Sequence, residues 1–108
     1  MRPVQQNDVF HAIAHPTRRK ILKLLRSGDR PASELAEPFG VSFPAISQHL
    51  RILKDADLVA ERRDGRRRIY RLRSAPLENV YRWAAEFRDF WNARLDALEA
   101  QLDRKHKK

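Results

Sequence analysis

The stretch Ser42-Phe43-Pro44-Ala45-Ile46-Ser47-Gln48-His49-Leu50-Arg51 carries the side chains best placed to do chemistry in this 108-residue chain. Ile46, Leu50 and Leu53 recur at helical spacing and form one apolar face. Phe43, Pro44, Ser47, Gln48 and Arg51 are then left outward or at the N-terminal end of that helix. Their chemistry is readout rather than reaction. A Gln48 amide can pair with adenine N6 and N7, and a Ser47 hydroxyl can meet donor or acceptor edges. Pro44 or Ala45 can touch a thymine methyl. A second group surrounds Asp64-Gly65, where residues 59–74 hold Arg62, Arg63, Arg66, Arg67, Arg68, Arg71 and Arg73 against Glu61 and Asp64. Arg63, Arg66 and Arg67 flank the turn, where they can reach phosphates or a minor groove. Arg71 and Arg73 read as solvated charge.

The charge balance agrees with a polyanionic partner. The chain has 23 Lys+Arg against 14 Asp+Glu, a formal charge of +9 and a pI near 10.8. Besides the arginine-rich segment, residues 16–27 hold Arg18, Arg19, Lys20, Lys23 and Arg26 with no acid. Residues 28–40 and 75–100 are net acidic. Two basic segments separated by near-neutral sequence argue for a shaped basic surface, whereas a disordered arm would concentrate its charge in one block. Only the last few residues, 105–108, read as a solvated basic tail.

Other chemistries find no residues. There is no cysteine, so thiolate metal sites, disulfides and Cys nucleophiles are excluded. His11, His15, His49 and His106 share no ligand spacing, and no metal site or cofactor is expected. No glycine-rich phosphate loop or nucleophile motif appears, so the chain is not expected to be an enzyme. No apolar run approaches the ~20 residues of a membrane span, and residues 1–8 lack the apolar core of a signal peptide. A soluble cytoplasmic, nucleoid-associated protein with no membrane partner is the expectation.

The elements that position these residues follow from punctuation. Asp8 to Ala14 forms a short amphipathic helix. Pro16 suits the first turn of a second helix, which runs to about Arg26 and buries Ile21, Leu22, Leu24 and Leu25. Ser27-Gly28-Asp29 ends it. Ser33 is the expected N-cap of a third helix over Glu34–Glu37, limited by Pro38 and the bend at Gly40. Ser42 caps the fourth. The period then changes, and Leu58–Arg63 and Arg66–Arg73 flank Asp64-Gly65, a hairpin signal. In that register Glu61 faces Arg68 and Val59 faces Tyr70. Tyr70 and Leu72 share the core face, and Ile69 is half covered. A long helix from Pro76 to about Lys105 closes the chain. Leu77, Val80, Ala84, Phe87, Trp91, Leu95, Leu98 and Leu102 line it, and Trp83 and Phe90 widen the stripe. About 28 helical residues span roughly 42 Å, more than so small a domain can cover. Part of this stripe is therefore expected to meet a second chain.

Helix-turn-helix followed by a hairpin is a winged helix, mainly α with a small β-hairpin wing. The combination of His15-Pro16-Thr17-Arg18-Arg19-Lys20-Ile21-Leu22, Ser47-Gln48-His49-Leu50-Arg51-Ile52-Leu53 and Gly65-Arg66-Arg67-Arg68-Ile69-Tyr70-Arg71-Leu72 resembles the ArsR/SmtB family of bacterial winged-helix repressors. The resemblance covers about residues 8–104. The aromatic last helix looks like the non-metal, SdpR-like branch. The resemblance implies one domain over 1–108: a winged helix-turn-helix core (8–73), a C-terminal dimerisation helix (76–104) and the tail. It implies a homodimer through the first and last helices, with Phe10, Trp83, Phe87, Trp91, Leu95 and Leu98 at the interface. It implies a repressor of double-stranded DNA, often of its own gene, reading an inverted repeat.

On this reading the base contacts are Phe43, Pro44, Ser47 and Gln48, and the backbone contacts Arg18, His49, Arg51, Arg63, Arg66 and Arg67. Phe43 is open to a core role. His49 is equally readable as a structural histidine, and Arg18 as an internal ion pair. The family's metal sensors carry Cys pairs before the recognition helix or Asp/His ligands on the last helix. Here Ser33-Glu34-Leu35-Ala36-Glu37-Pro38 stands in the first place, and no histidine precedes His106 in the second. A small-molecule inducer stays open, as does an alternative role as a protein-interaction module docking through the aromatic helix.

Overall fold

The computed structural model describes residues 8–106. Residues 1–7 and Lys107–Lys108, which include half of the expected basic tail, lie outside the described residues. The described residues fall into two compact units that divide between Glu78 and Asn79.

The first unit begins with α1 (Val9–Ala12), capped by the Asp8 carboxylate accepting from Phe10 N–H at 3.1 Å. In α2 (Pro16–Leu25) Pro16 occupies the first turn, and the His15 ring accepts from Thr17 N–H at 3.1 Å. Proline has no N–H to leave unpaired there. α2 buries Ile21, Leu22 and Leu25, while Leu24 is only half-buried. Arg30 donates from Nε to the Leu24 carbonyl at 3.1 Å, satisfying an orphan acceptor at the helix end.

A short strand, β1 (Arg30–Pro31), leads directly into α3 (Ala32–Ala36) and a 3-10 turn over Glu37–Phe39. The expected cap at Ser33 is not used. α3 starts one residue before it, after an extended Pro31 that makes no side-chain cap. The chain turns at Gly40, whose φ of 60° is left-handed.

Ser42 caps α4 (Phe43–Asp55) as its sequence position implies, its hydroxyl accepting from Ala45 N–H at 3.3 Å. Ile46, Leu50 and Leu53 are buried together with Ile21 and Leu35. α4 ends in a tight Schellman turn. Asp57 N–H bonds to Lys54 O and Leu58 N–H to Leu53 O, both at 3.0 Å. Asp57 takes the left-handed φ of 60° that glycine normally supplies. Leu58 is fully buried, and β2 (Val59–Asp64) follows at once.

β2 pairs antiparallel with β3 (Arg67–Leu72), and β1 adds to the far edge of β3, giving the order β1-β3-β2. The wing is thus part of a three-stranded sheet. Its register differs from the sequence expectation by two residues. Glu61 faces Tyr70, Val59 faces Leu72, and Asp64 pairs with Arg67. The two turn residues are Gly65 and Arg66, and only Gly65 has positive φ. Glycine at the first central position gives the sign pattern of a type II′ turn, so Asp64 is spared the left-handed conformation. Ile69 is buried rather than half covered, because β3 is the central strand and both α2 and α3 contact it.

The second correction concerns the C-terminal helix. It is two helices, α5 (Leu77–Ala85) and α6 (Arg88–His106), instead of one. At the break the ladder tightens to three-residue bonds, Glu86 N–H to Trp83 O at 3.2 Å and Phe87 N–H to Ala84 O at 3.0 Å. Four-residue bonding resumes with Trp91 N–H to Phe87 O at 3.0 Å. At 1.5 Å per residue α6 extends roughly 28 Å.

Candidate nucleic-acid interface

α4 presents two faces. One is the buried row of Ile46, Leu50 and Leu53. On the opposite side Pro44, Gln48 and Arg51 are exposed, and Ser47 is half-buried at the edge. Among the described residues Gln48 and Arg51 make no side-chain hydrogen bond or ion pair within the chain, so their polar atoms are free for a ligand. Phe43, at the start of the helix, is 49% exposed. It belongs to the surface, not to the core.

The wing divides its arginines. Arg62 pairs with Asp29 at 2.7 Å, Arg67 lies 3.9 Å from Glu34, and Arg68 lies 3.7 Å from Glu61. Arg63 and Arg66 are exposed at the tip and have no such partner. Much of the basic surplus in this segment is therefore partly neutralised. Of the arginines without a partner, Arg63 and Arg66 stand at the turn, and Arg71 and Arg73 are exposed toward the end of β3 and just beyond it.

Between α4 and the wing lies a polar cleft of about 450 Å³, lined by residues that include Ser47, Arg51, Lys54, Glu61, Arg68 and Tyr70. Glu61 is its hub. It accepts from Tyr70 Oη at 2.5 Å and from Lys54 Nζ at 3.4 Å, with Arg68 close by. The Tyr70 hydrogen bond holds the Glu61 carboxyl below its ordinary pKa despite its partial burial; Lys54 and Arg68 act in the same direction. Burial, followed by the bond to the Glu61 carboxylate, pushes Tyr70 up to about 12. This cluster joins α4 to the wing. The sequence reading placed Glu61 opposite Arg68 and did not anticipate its role. Its position on the same strand face as Val59 was the available signal, since a carboxylate on a core face needs partners.

Two expected backbone contacts, Arg18 and His49, meet each other within the chain. Arg18 is only 6% exposed. Its Nε donates to Ala12 O at 2.7 Å and its Nη2 to His11 O at 3.2 Å, tying down the end of α1. Its Nη1 lies 3.2 Å from His49 Nδ1. A guanidinium only donates, so Nδ1 is the acceptor and the His49 proton sits on Nε2. Burial draws the Arg18 pKa down, yet the group remains a cation. Burial, then His15 and Arg18, holds His49 below the ordinary histidine value. The His15 and His49 rings also meet, with centroids 4.6 Å apart. Arg18 therefore binds the first, second and fourth helices together. His49, which is half-buried, meets α2 through the same bond.

Within the second unit Trp83, Phe87, Trp91, Leu95 and Leu98 are all about half exposed or more, as are Tyr81, Phe90 and Leu102. Trp83 packs edge-on against Phe87 at 5.4 Å, and the Arg94 guanidinium lies 5.6 Å from the Phe90 ring. Trp91, Leu95, Leu98 and Leu102 follow one another at spacings of four, three and four on α6. Phe10, on α1 of the first unit, is 38% exposed.

The profile of the bacterial regulatory proteins of the arsR family matches residues 15–61, from the α2 cap to the start of the wing. The transcriptional repressor SdpR of Bacillus subtilis is 46% identical over 81 residues, covering 75% of this chain and 90% of the repressor. The chain belongs to the ArsR family. An HTH-type transcriptional regulator of Mycobacterium tuberculosis is similar to it at 37% identity over 94 residues, covering 87% of this chain and 85% of that one. Among solved structures, an ArsR family transcriptional regulator superposes with a TM-score of 0.71 at 35% identity, over 82% of this chain and 97% of that one. This ArsR-family protein is a winged helix-turn-helix, DNA-binding transcriptional repressor, and its relatives are regulators rather than enzymes. Among the described residues no group of three or more His, Cys, Asp or Glu side chains could hold a metal ion. No helix among them is long and apolar enough to cross a membrane.

Proposed function

We propose that the protein binds an inverted-repeat operator as a homodimer and represses by occluding a promoter, its own by analogy with the family. The observation that carries this reading is the outer face of α4. It offers unpartnered Gln48 and Arg51 beside Pro44 and Ser47, with free Arg63 and Arg66 at the wing tip. Phe43, Pro44, Ser47 and Gln48 meet base edges in the major groove. Arg51, Arg63, Arg66 and Arg67 meet phosphates or the adjoining minor groove. The exposed row of Trp83, Phe87, Trp91, Leu95 and Leu98, with Phe10 of α1, supplies the contact between two copies. Monomeric proteins rarely leave apolar patches of more than a few hundred Å² in water. Two copies then present two recognition helices to half-sites about one helical turn apart.

The test is a mobility shift against fragments selected from the source genome and against random DNA, across a salt series. Specific binding exceeds non-specific binding by ~10³ or more. Affinities that agree within about threefold, well short of that ratio, would end the operator reading. Light scattering that returned a single-chain mass at working concentration would end the homodimer.

A further inference from the structure

Phe43 and Val41 flank the Ser42 cap of α4, and they are 49% and 44% exposed. Among the described residues of the first unit, Phe10 on α1 is the other comparably exposed large hydrophobic residue. Neither Phe43 nor Val41 takes part in a ring contact with another side chain of the chain. Both stand at the N-terminal end of the helix whose outer face carries Pro44, Ser47 and Gln48. An apolar side chain here has no hydrogen bond to offer a base edge. The C5-methyl of thymine is the one apolar substituent that projects into the major groove, beside the donors and acceptors of the base edges. Placing Phe43 over an acceptor or donor edge would strip water from a polar atom and give nothing back.

Helical spacing sharpens the position. Phe43 and Ser47 are four residues apart on one row, and Pro44 and Gln48 are four apart on the next. Phe43 therefore lies one turn before Ser47, alongside the Gln48 row. Pro44 fixes the local backbone, so the ring projects from a preset helix start.

From this we infer that Phe43 is a specificity-determining residue. With Val41 beside it, Phe43 selects thymine in each half-site by covering the 5-methyl group, next to the base read by Gln48. The inference rests on the operator reading above and adds the chemistry of one base step to it.

The experiment starts with selection of bound duplexes from a randomised library. The selected duplex is then resynthesised with deoxyuridine replacing thymine, one position at a time. Deoxyuridine keeps every hydrogen-bonding group and removes only the methyl. Wild-type affinity is expected to fall about fourfold at one thymine per half-site, the effect of one buried methyl. At that position Phe43→Ala is expected to bind thymine and deoxyuridine equally. Phe43→Leu, which stays apolar, is expected to keep part of the preference. Circular dichroism checks that both variants fold.

An operator whose affinity is indifferent to every thymine methyl overturns the inference and leaves the operator reading standing. So does a deoxyuridine effect that survives unchanged in Phe43→Ala. A library that yields no enriched sequence overturns both.

Discussion

Arg18 offers the sharpest separation between a structural and a nucleic-acid role. Its guanidinium makes three hydrogen bonds at 2.7, 3.2 and 3.2 Å from a side chain that is almost wholly covered. Two of them hold carbonyls at the end of α1, a helix of only four residues. Hydrogen bonds from charged donors contribute about 1.5–3 kcal/mol each. Their sum overstates the loss, because the His11 and Ala12 carbonyls regain some water once the side chain is cut. About 3 kcal/mol is expected for Arg18→Ala, against a total stability of roughly 5–15 kcal/mol for a domain of this kind. Arg18→Lys keeps the charge but not the fork, and should recover less than half of the loss. Urea unfolding gives the stability, and a salt series with operator DNA gives the slope of log affinity against log salt. Each phosphate contact adds about 0.9 to that slope. Arg18→Ala should lower the urea midpoint strongly and leave the slope unchanged at temperatures where it is folded. A variant with the wild-type midpoint and a slope reduced by about one unit would refute the reasoning and return Arg18 to the DNA backbone.

Other consequences can be measured independently. Gln48→Ala should cost ~1–3 kcal/mol and relax one base preference, whereas Arg66→Ala should weaken all sequences alike and reduce the salt slope by about one; identical changes in both variants would contradict this division. Tyr70→Phe should destabilise the fold by about 2 kcal/mol, since it removes a hydrogen bond to the ionised Glu61. The Glu61 pKa is lowered in the folded state, so its contribution is present above the ordinary value of 4.5 and lost as pH falls through the lowered one. The Tyr70→Phe variant should therefore show a flatter acid limb in urea unfolding between pH 5 and 3, roughly the range in which an ordinary carboxyl titrates. His49 is also lowered in the folded state. The stability linked to it is present above 6.5 and lost as pH falls through its folded value. Unfolding of His49→Gln should accordingly be less pH-dependent below 6.5 than that of the wild type, and parallel curves would exclude the effect. Trp91→Ala should weaken self-association in sedimentation, and DNA affinity with it; unchanged association would remove α6 from the contact between copies.

Where a single local signal decided the outcome, the sequence was a sound guide. Pro16 and Ser42 mark helix starts by mechanisms confined to one turn, and both act where expected. The spacing of Ile46, Leu50 and Leu53 fixed the buried face of α4 and so the outward set beginning with Pro44 and Gln48. Outcomes that depend on partners were less legible. A two-residue slip in the β2–β3 register keeps every side chain on its own face, so the apolar pattern cannot detect it. The choice falls instead to the turn, where Gly65 alone needs positive φ. β1 is two residues long and one is proline, too short for any period. The interruption at Glu86 and Phe87 involves neither glycine nor proline, the usual marks of a helix break. Arg18 stayed open between a phosphate contact and an internal ion pair, because burial of an arginine depends on acceptors from α1 and α4 that only the fold brings together.

The passage from α4 into β2 takes only Ala56, Asp57 and Leu58, and its bonds run from Asp57 to Lys54 and from Leu58 to Leu53. The Glu61 cluster then fastens the wing back to the helix at Lys54. Helix and wing are consequently joined at two places, the turn and the Glu61 cluster, and would move as one reading head. In a homodimer the variable left to regulation is the distance and twist between two such heads.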